Sequence, residues 1–283
     1  MRQILLLITL YFTNSVALAN QTDEPNRIIS VGSSITELLY ALDAKDQLVA
    51  IDVTSKHFDE SKQLPQVGYH RQLSAEGLMA QNPTHLIGSH EMGPESTLNL
   101  LKSAGIKVIT VPSGDSEQDL DARIDVIAQI TGKEPQAVEL KKELHTQIES
   151  LSQLPSQQQP KVIFAMLSEG RPATVAGSQT TIDKIIQLAG GINPTHSDFS
   201  SYKSMSFEAI VSIQPQYILI PQRSWDSLGG QQGIIEKFPL LAATPAATNQ
   251  HIIPVPGTAI IGGFGIESIE LSHSLYQTFE RKK

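Results

Sequence analysis

The chain has 283 residues, with 21 lysines and arginines against 29 aspartates and glutamates, a net charge of −8 and no cysteine. That acidic balance argues against nucleic acid as a partner, because such binding rests on basic surface. The absence of cysteine excludes disulfides and a thiol nucleophile, and at this length two lobes can each bury a core without cross-links.

In chain order, residues 1–19 read as a signal peptide. Arg2 supplies the positive end, Ile4 to Phe12 the apolar run, and Ala17-Leu18-Ala19 the small-residue cleavage site. The run is shorter than the roughly 20 residues that span a bilayer. No cysteine follows it, so a lipid anchor there is excluded and the mature protein is expected to be periplasmic. Arg27 to Val31 then predicts a strand, and Ser34-Ile35-Thr36-Glu37 has the spacing of a capping box. Leu48–Ile51, Thr84–Gly88 and Val108–Val111 predict further strands between helical segments, the alternation of a mostly parallel sheet. Glu134 to Leu154 is rich in Glu, Lys, Gln and Leu and free of Gly, with Pro135 in its first turn, and predicts one long helix. Gln157-Gln158-Gln159 reads as a linker, after which Val162 to Leu167 restarts the alternation.

The chain also repeats itself. Leu73–Ile87 aligns without a gap to Met205–Leu219, with Ser, Glu and Pro at the same places: Ser74 and Ser206, Glu76 and Glu208, Pro83 and Pro215. Each copy reads as a short helix opened by Ser and closed before Pro, then a buried strand. A looser echo pairs Gly32-Ser33-Ser34 and Glu37 with Gly177-Ser178-Gln179 and Asp183. The expected fold is therefore α/β: two similar parallel-sheet lobes, residues 20–133 and 158–283, joined by one rigid helix over 134–157, with a ligand cleft between them. Lobes joined this way should move by a limited hinge.

In parallel sheets ligands bind beyond the carboxyl ends of the strands, which directs attention to the loops there. At one such rim Gly68-Tyr69-His70-Arg71 precedes the first repeat helix, and Ser201-Tyr202-Lys203 precedes the second. A tyrosine beside an arginine suits Fe(III), because a phenolate is a hard anionic donor. The same residues also read as an ordinary rim tyrosine and a solvated charge. Of the eight histidines, His57, His70 and His90 fall in loops and are the candidates for a bare zinc or manganese site. His85 and His145 fall in a strand and a helix and read as structural. Met92, Met166 and Met205 read as lining for an apolar pocket. An exported hydrolase is disfavoured, since Gly-x-Ser-x-Gly and a paired-carboxylate signature are both missing.

Pro65-Gln66-Val67-Gly68-Tyr69-His70-Arg71-Gln72-Leu73-Ser74-Ala75-Glu76-Gly77 resembles the signature of periplasmic heme-binding proteins of ABC-type heme importers. The resemblance continues through Gly93-Pro94, Val175-Ala176-Gly177, Tyr202-Lys203, Ser227 to Gly230, Thr244-Pro245-Ala246 and Gly263-Phe264-Gly265. It implies a binding protein without enzymatic activity, with heme as the transported ligand. Tyr69 would be the axial ligand of the heme iron and Arg71 its support. His70 stands where relatives often carry an apolar residue, and reads either as a second donor or as a surface variant. Ser168-Glu169-Gly170-Arg171 lacks the histidine with which some relatives stack two hemes, which disfavours a two-heme site. His90 and Tyr202 are further heme contacts, and Arg171, Lys203 and Arg223 are candidate partners of the propionates. Glu76 and Glu208 would dock the lobes on a two-fold permease dimer in the inner membrane; the alternative is that they are capping or solvated carboxylates. The same fold carrying a ferric siderophore or a corrinoid is the alternative function.

Overall fold

A computed structural model describes residues 25–154 and 159–280. The expected signal peptide, the end of the predicted 134–157 helix and Gln157-Gln158 of the linker lie outside them.

The first lobe runs β1 (Ile28–Val31), α1 (Ser33–Ala41), β2 (Leu48–Ile51), α2 (Ala75–Met79), β3 (His85–Gly88), α3 (Glu95–Ser103), β4 (Lys107–Thr110) and α4 (Glu117–Thr131). Its four strands lie in the order β2-β1-β3-β4, all parallel. β1 and β3 are buried along their whole length, as continuous apolar strands covered by helices on both faces should be. The predicted long helix is α5 (Glu134–Gln153), with Pro135 in the first turn, where its missing N–H costs nothing.

The second lobe follows as β5 (Val162–Met166), β6 (Ala173–Ala176), α6 (Thr181–Leu188), β7 (Tyr202–Met205), α7 (Phe207–Ile213), β8 (Tyr217–Pro221), α8 (Gln222–Leu228), α9 (Gly230–Lys237), α10 (Pro245–Thr248), β9 (Ile252–Val255) and α11 (Ile266–Glu280). Its strand order is β7-β6-β5-β8-β9. β5, β8 and β9 are parallel, but β6 and β7 run antiparallel, so this sheet is mixed rather than all-parallel. Between β5 and β6 lie only residues 167–172, too few for the crossover that a parallel neighbour requires, so the chain must turn back.

The internal repeat is structural. Ser74 caps α2 by accepting from the Gly77 amide at 3.4 Å, and Ser206 caps α7 by accepting from Ala209 at 3.2 Å. Each helix then feeds a strand beside the first strand of its own lobe, β3 beside β1 and β8 beside β5.

The predicted capping box at Ser34-x-x-Glu37 does not form. Gly32 occupies the N-cap of α1, and Ser34 and Glu37 lie inside the helix with their side chains committed to the far end of the chain. Ser34 Oγ donates to the Gly262 carbonyl at 2.8 Å. The Glu37 carboxylate accepts from the Ile266 and Glu267 amides at 3.0 and 2.6 Å, which caps α11 instead. Arg123 of α4, fully buried, donates to the carbonyls of Pro112 (3.1 Å), Gly262 (3.0 Å) and Phe264. Gly262 and Gly263 have φ of +92° and +101°, and a Cβ on either would come within 2.5 Å of Ser34 Oγ or Arg123 Nη1, so only glycine passes here. Phe264 and Ile269 complete the joint by entering the first lobe's core. The lobes are thus held by this strap, residues 261–269, as well as by α5.

Glu37 is an unusual acid. Burial pushes it up to about 8, against the two amide donors, and the carboxylates of Glu267 and Glu270 push the same way. A raised acid stabilises the fold fully below its ordinary value near 4.5, and that contribution is lost as pH rises through about 8. Wild-type stability should therefore decline between pH 5 and 9 by on the order of a few kcal/mol more than that of Glu37→Gln. Thermal melts of both proteins across this range check it, and parallel Tm curves would refute it.

Candidate functional site

The site is built on a short extended segment that flanks β2. The Ile51 amide donates to Pro65, Val67 donates back to Ile51, and Val53 donates to Gly68, at 3.0–3.1 Å. Gly68 then takes φ +90°, a conformation open to glycine, and turns the chain out toward the cleft. A tight turn follows, with the Gln72 amide on the Tyr69 carbonyl at 2.7 Å. The loop after β3 laces the turn from the other side, through Gly93 N–H to His70 (2.9 Å) and Leu73 N–H to Gly93 (2.8 Å). Tyr69 is 40% exposed on a backbone held from both sides.

Beneath it lies a chain of alternating charges. Asp52 is fully buried and accepts from the hydroxyls of Thr54 and Ser55 at 2.8 Å. His70 is 3% exposed, with Nδ1 3.3 Å from Asp52 and Nε2 3.5 Å from Glu91. Burial works against the charged imidazole, but Asp52 and Glu91 outweigh it and raise His70 to about 9. Glu91 also takes Arg71 in a salt bridge, and His70, then Arg71, hold its carboxyl below the usual range. The ring of His70 lies 4.2 Å from that of Tyr69. His70 lines the cleft but is buried, so it is no surface variant. Both of its ring nitrogens face carboxylates, which compete with any role as a donor to iron.

The cleft has a volume of about 690 Å³ and is lined by both lobes, within the roughly 300–1,000 Å³ usual for small-molecule sites. Tyr69, Arg71, His90 and Glu91 face it from the first lobe; Phe164, Met166, Tyr202 and Arg223 face it from the second. Ile260 and, from the strap, Ile261 to Gly263 also line it, so the joint between the lobes shapes the site. Burial, and then the charge of Glu91, push Tyr202 up to about 12. The site thus offers one tyrosine beside two cations and one that stays a neutral phenol. His90 lines the same cleft, with Nδ1 2.7 Å from Ser113 Oγ.

Two predicted propionate partners lie elsewhere. Arg171 lines a separate cavity beside Glu208. Lys203 lies over the Phe199 ring, 5.5 Å from its centre, on the exposed strand β7. His57 pairs with Glu267 at 3.0 Å, outside the cleft lining. Among the described residues no three His, Cys, Asp or Glu side chains gather as a metal site. Glu76 and Glu208 are exposed, one position short of N3 in their helices, and neither has an ion-pair partner among the described residues. Met166 lines the cleft, whereas Met92 is buried in the first lobe's core and Met205 packs on the second lobe's. Sequence reading missed Asp52, Glu91, Phe164 and Ile260, because single residues in separate loops and strands leave no spacing to detect.

Similarity to known proteins agrees with this architecture. The chain is 45% identical to the crystallised periplasmic heme-binding protein HutB of Vibrio cholerae, with a TM-score of 0.86 over 90% of this chain and 99% of that one. It is 24% identical over 229 residues to a vitamin B12-binding protein of Vibrio parahaemolyticus, covering 81% of this chain and 82% of the relative. It is 26% identical to an uncharacterized ABC transporter substrate-binding lipoprotein of Bacillus subtilis, where the match spans 69% of this chain and 63% of the relative. The periplasmic binding protein family model matches residues 28–259. With a two-lobed fold, a cleft between the lobes and a match across most of its length, the chain belongs to the periplasmic binding protein family.

Proposed function

We propose that this protein captures heme in the periplasm and delivers it to an ABC-type heme permease. The observation that carries the reading is the Tyr69 turn: an exposed phenol on a rigid backbone, with a cationic imidazole beside its ring and Arg71 two residues on, facing an apolar cleft wall. Positive charge around the phenol favours a phenolate ligand for ferric iron. Phe164, Met166, Ile260 and Ile261 suit the faces of a porphyrin, and Arg71 and Arg223 suit its propionates. Heme enters as cargo, so the site needs affinity and release but no turnover. Residues 1–19 act as the cleaved export signal in this reading, and Glu76 and Glu208 meet cations on a two-fold permease dimer. No described helix is long and apolar enough to cross a membrane.

Hemin titration followed by visible absorbance tests the cargo. Saturable, stoichiometric growth of a Soret band with a high-spin tyrosinate spectrum is expected. Weak, non-saturable binding would reject heme and turn attention to corrinoids, which the vitamin B12-binding relative favours, and to ferric siderophores.

A further inference from the structure

Beside Glu208 the second lobe carries an apolar socket of about 480 Å³ whose lining shares no residue with the cleft. Phe207 and Phe238 form its base, their rings stacked at 5.0 Å. Leu240 stands 47% exposed at its edge. Two exposed charges of opposite sign, Glu208 and Arg171, flank it, and neither has an ion-pair partner among the described residues. The remaining rim cation, Lys237, is already paired with Glu169. An open apolar hollow between uncompensated charges fits the apolar centre and polar rim of a protein interface.

The repeat shows that the two lobes differ here. Phe207 corresponds to Ala75, so the first lobe presents Glu76 without the aromatic base. The two halves of the proposed docking face are alike in their carboxylates and unlike in their apolar contact.

We propose that the socket is the main anchor of the second lobe on its membrane permease. It receives an apolar side chain carried next to a cation that pairs with Glu208, with an acid of the permease opposite Arg171. The proposal rests on the docking reading above and names the surface that supplies most of its affinity. Charge decides the occupant. The free carboxylate of Glu208 continues the surface assigned to docking, and a permease that binds the carboxylates of both lobes must present cations there.

The test uses hemin-loaded full-length mature protein titrated onto the heme permease of the same cell in lipid nanodiscs. Wild type is compared with Leu240→Asp, Arg171→Glu and Glu208→Ala, and a Soret titration verifies that each variant loads as wild type does. Leu240→Asp, which sets a charge on the apolar rim against the inserted side chain, should weaken permease binding by about tenfold or more. Arg171→Glu should weaken it several-fold. If Glu208→Ala weakens binding while Leu240→Asp does not, the socket proposal fails and docking through the carboxylates survives. If none of the three weakens it, the docking reading fails with it. Wild-type self-association that Leu240→Asp abolishes would assign the socket to a second copy of this chain and overturn the proposal.

Discussion

Replacing Tyr69 with phenylalanine lowers hemin affinity by on the order of 100-fold or more, and the tyrosinate bands of the visible spectrum disappear. Loss of a supporting residue around a metal already costs roughly 10–100-fold, and Tyr69 is the proposed ligand itself. Phenylalanine keeps the ring that packs against His70, so the turn held by Gln72, Gly93 and Leu73 should persist. His70→Gln is the informative companion. With both imidazole nitrogens turned to Asp52 and Glu91, its loss should weaken hemin binding but leave a tyrosinate spectrum. If Tyr69→Phe binds hemin as wild type does while His90→Ala does not, the iron ligand is His90, which lines the same cleft.

Arg123→Met costs about 3–5 kcal/mol of stability, the range for removing one member of a buried charged network. Three carbonyls, from Pro112, Gly262 and Phe264, lose a donor; Gly262 keeps Ser34 Oγ, whereas the buried Phe264 carbonyl is left stranded, which costs roughly 1–3 kcal/mol. Burial draws the Arg123 guanidinium down to about 10, and Glu37 and Asp119 raise it. The variant should also uncouple the lobes. The chain has one tryptophan, Trp225, and it packs in the second lobe. Urea unfolding followed by Trp225 fluorescence and by far-ultraviolet circular dichroism should coincide for wild type and separate for Arg123→Met. A loss below about 1 kcal/mol with coincident transitions would mean that Phe264 and Ile269, buried in the first lobe's core, hold the joint without Arg123.

The same joint bears on delivery. A permease senses loading only if it binds the loaded form better than the empty one. Ile260 to Gly263 line the cleft while Arg123 and Ser34 tie Gly262 to the first lobe. Pressure from a ligand on the cleft floor therefore reaches both lobes at once, and the expected lobe motion is small.

Much of this protein is legible without coordinates. Strand and helix order follows from apolar periodicity, the Ser caps of α2 and α7 from their own spacing, and the correspondence of Glu76 with Glu208 from the repeat. Tyr69 and Arg71 were legible because a tight turn keeps neighbours in sequence neighbours in space. Each of these is a short-range relation, carried within one turn or one element. What only the tertiary structure decided is where buried polar groups find partners. Ser34 and Glu37 have the spacing of a cap, yet they bond to Gly262, Ile266 and Glu267. His70 is a loop residue by pattern, yet it is buried between Asp52 and Glu91, which come from other loops. Arg171 leaves the cleft because the short turn after β5 forces β6 back, antiparallel, and carries residue 171 to the face beside Glu208. Local pattern sets which groups exist and how they are spaced; a group that cannot stay unpaired inside takes its partner from whatever distant segment packing brings to it.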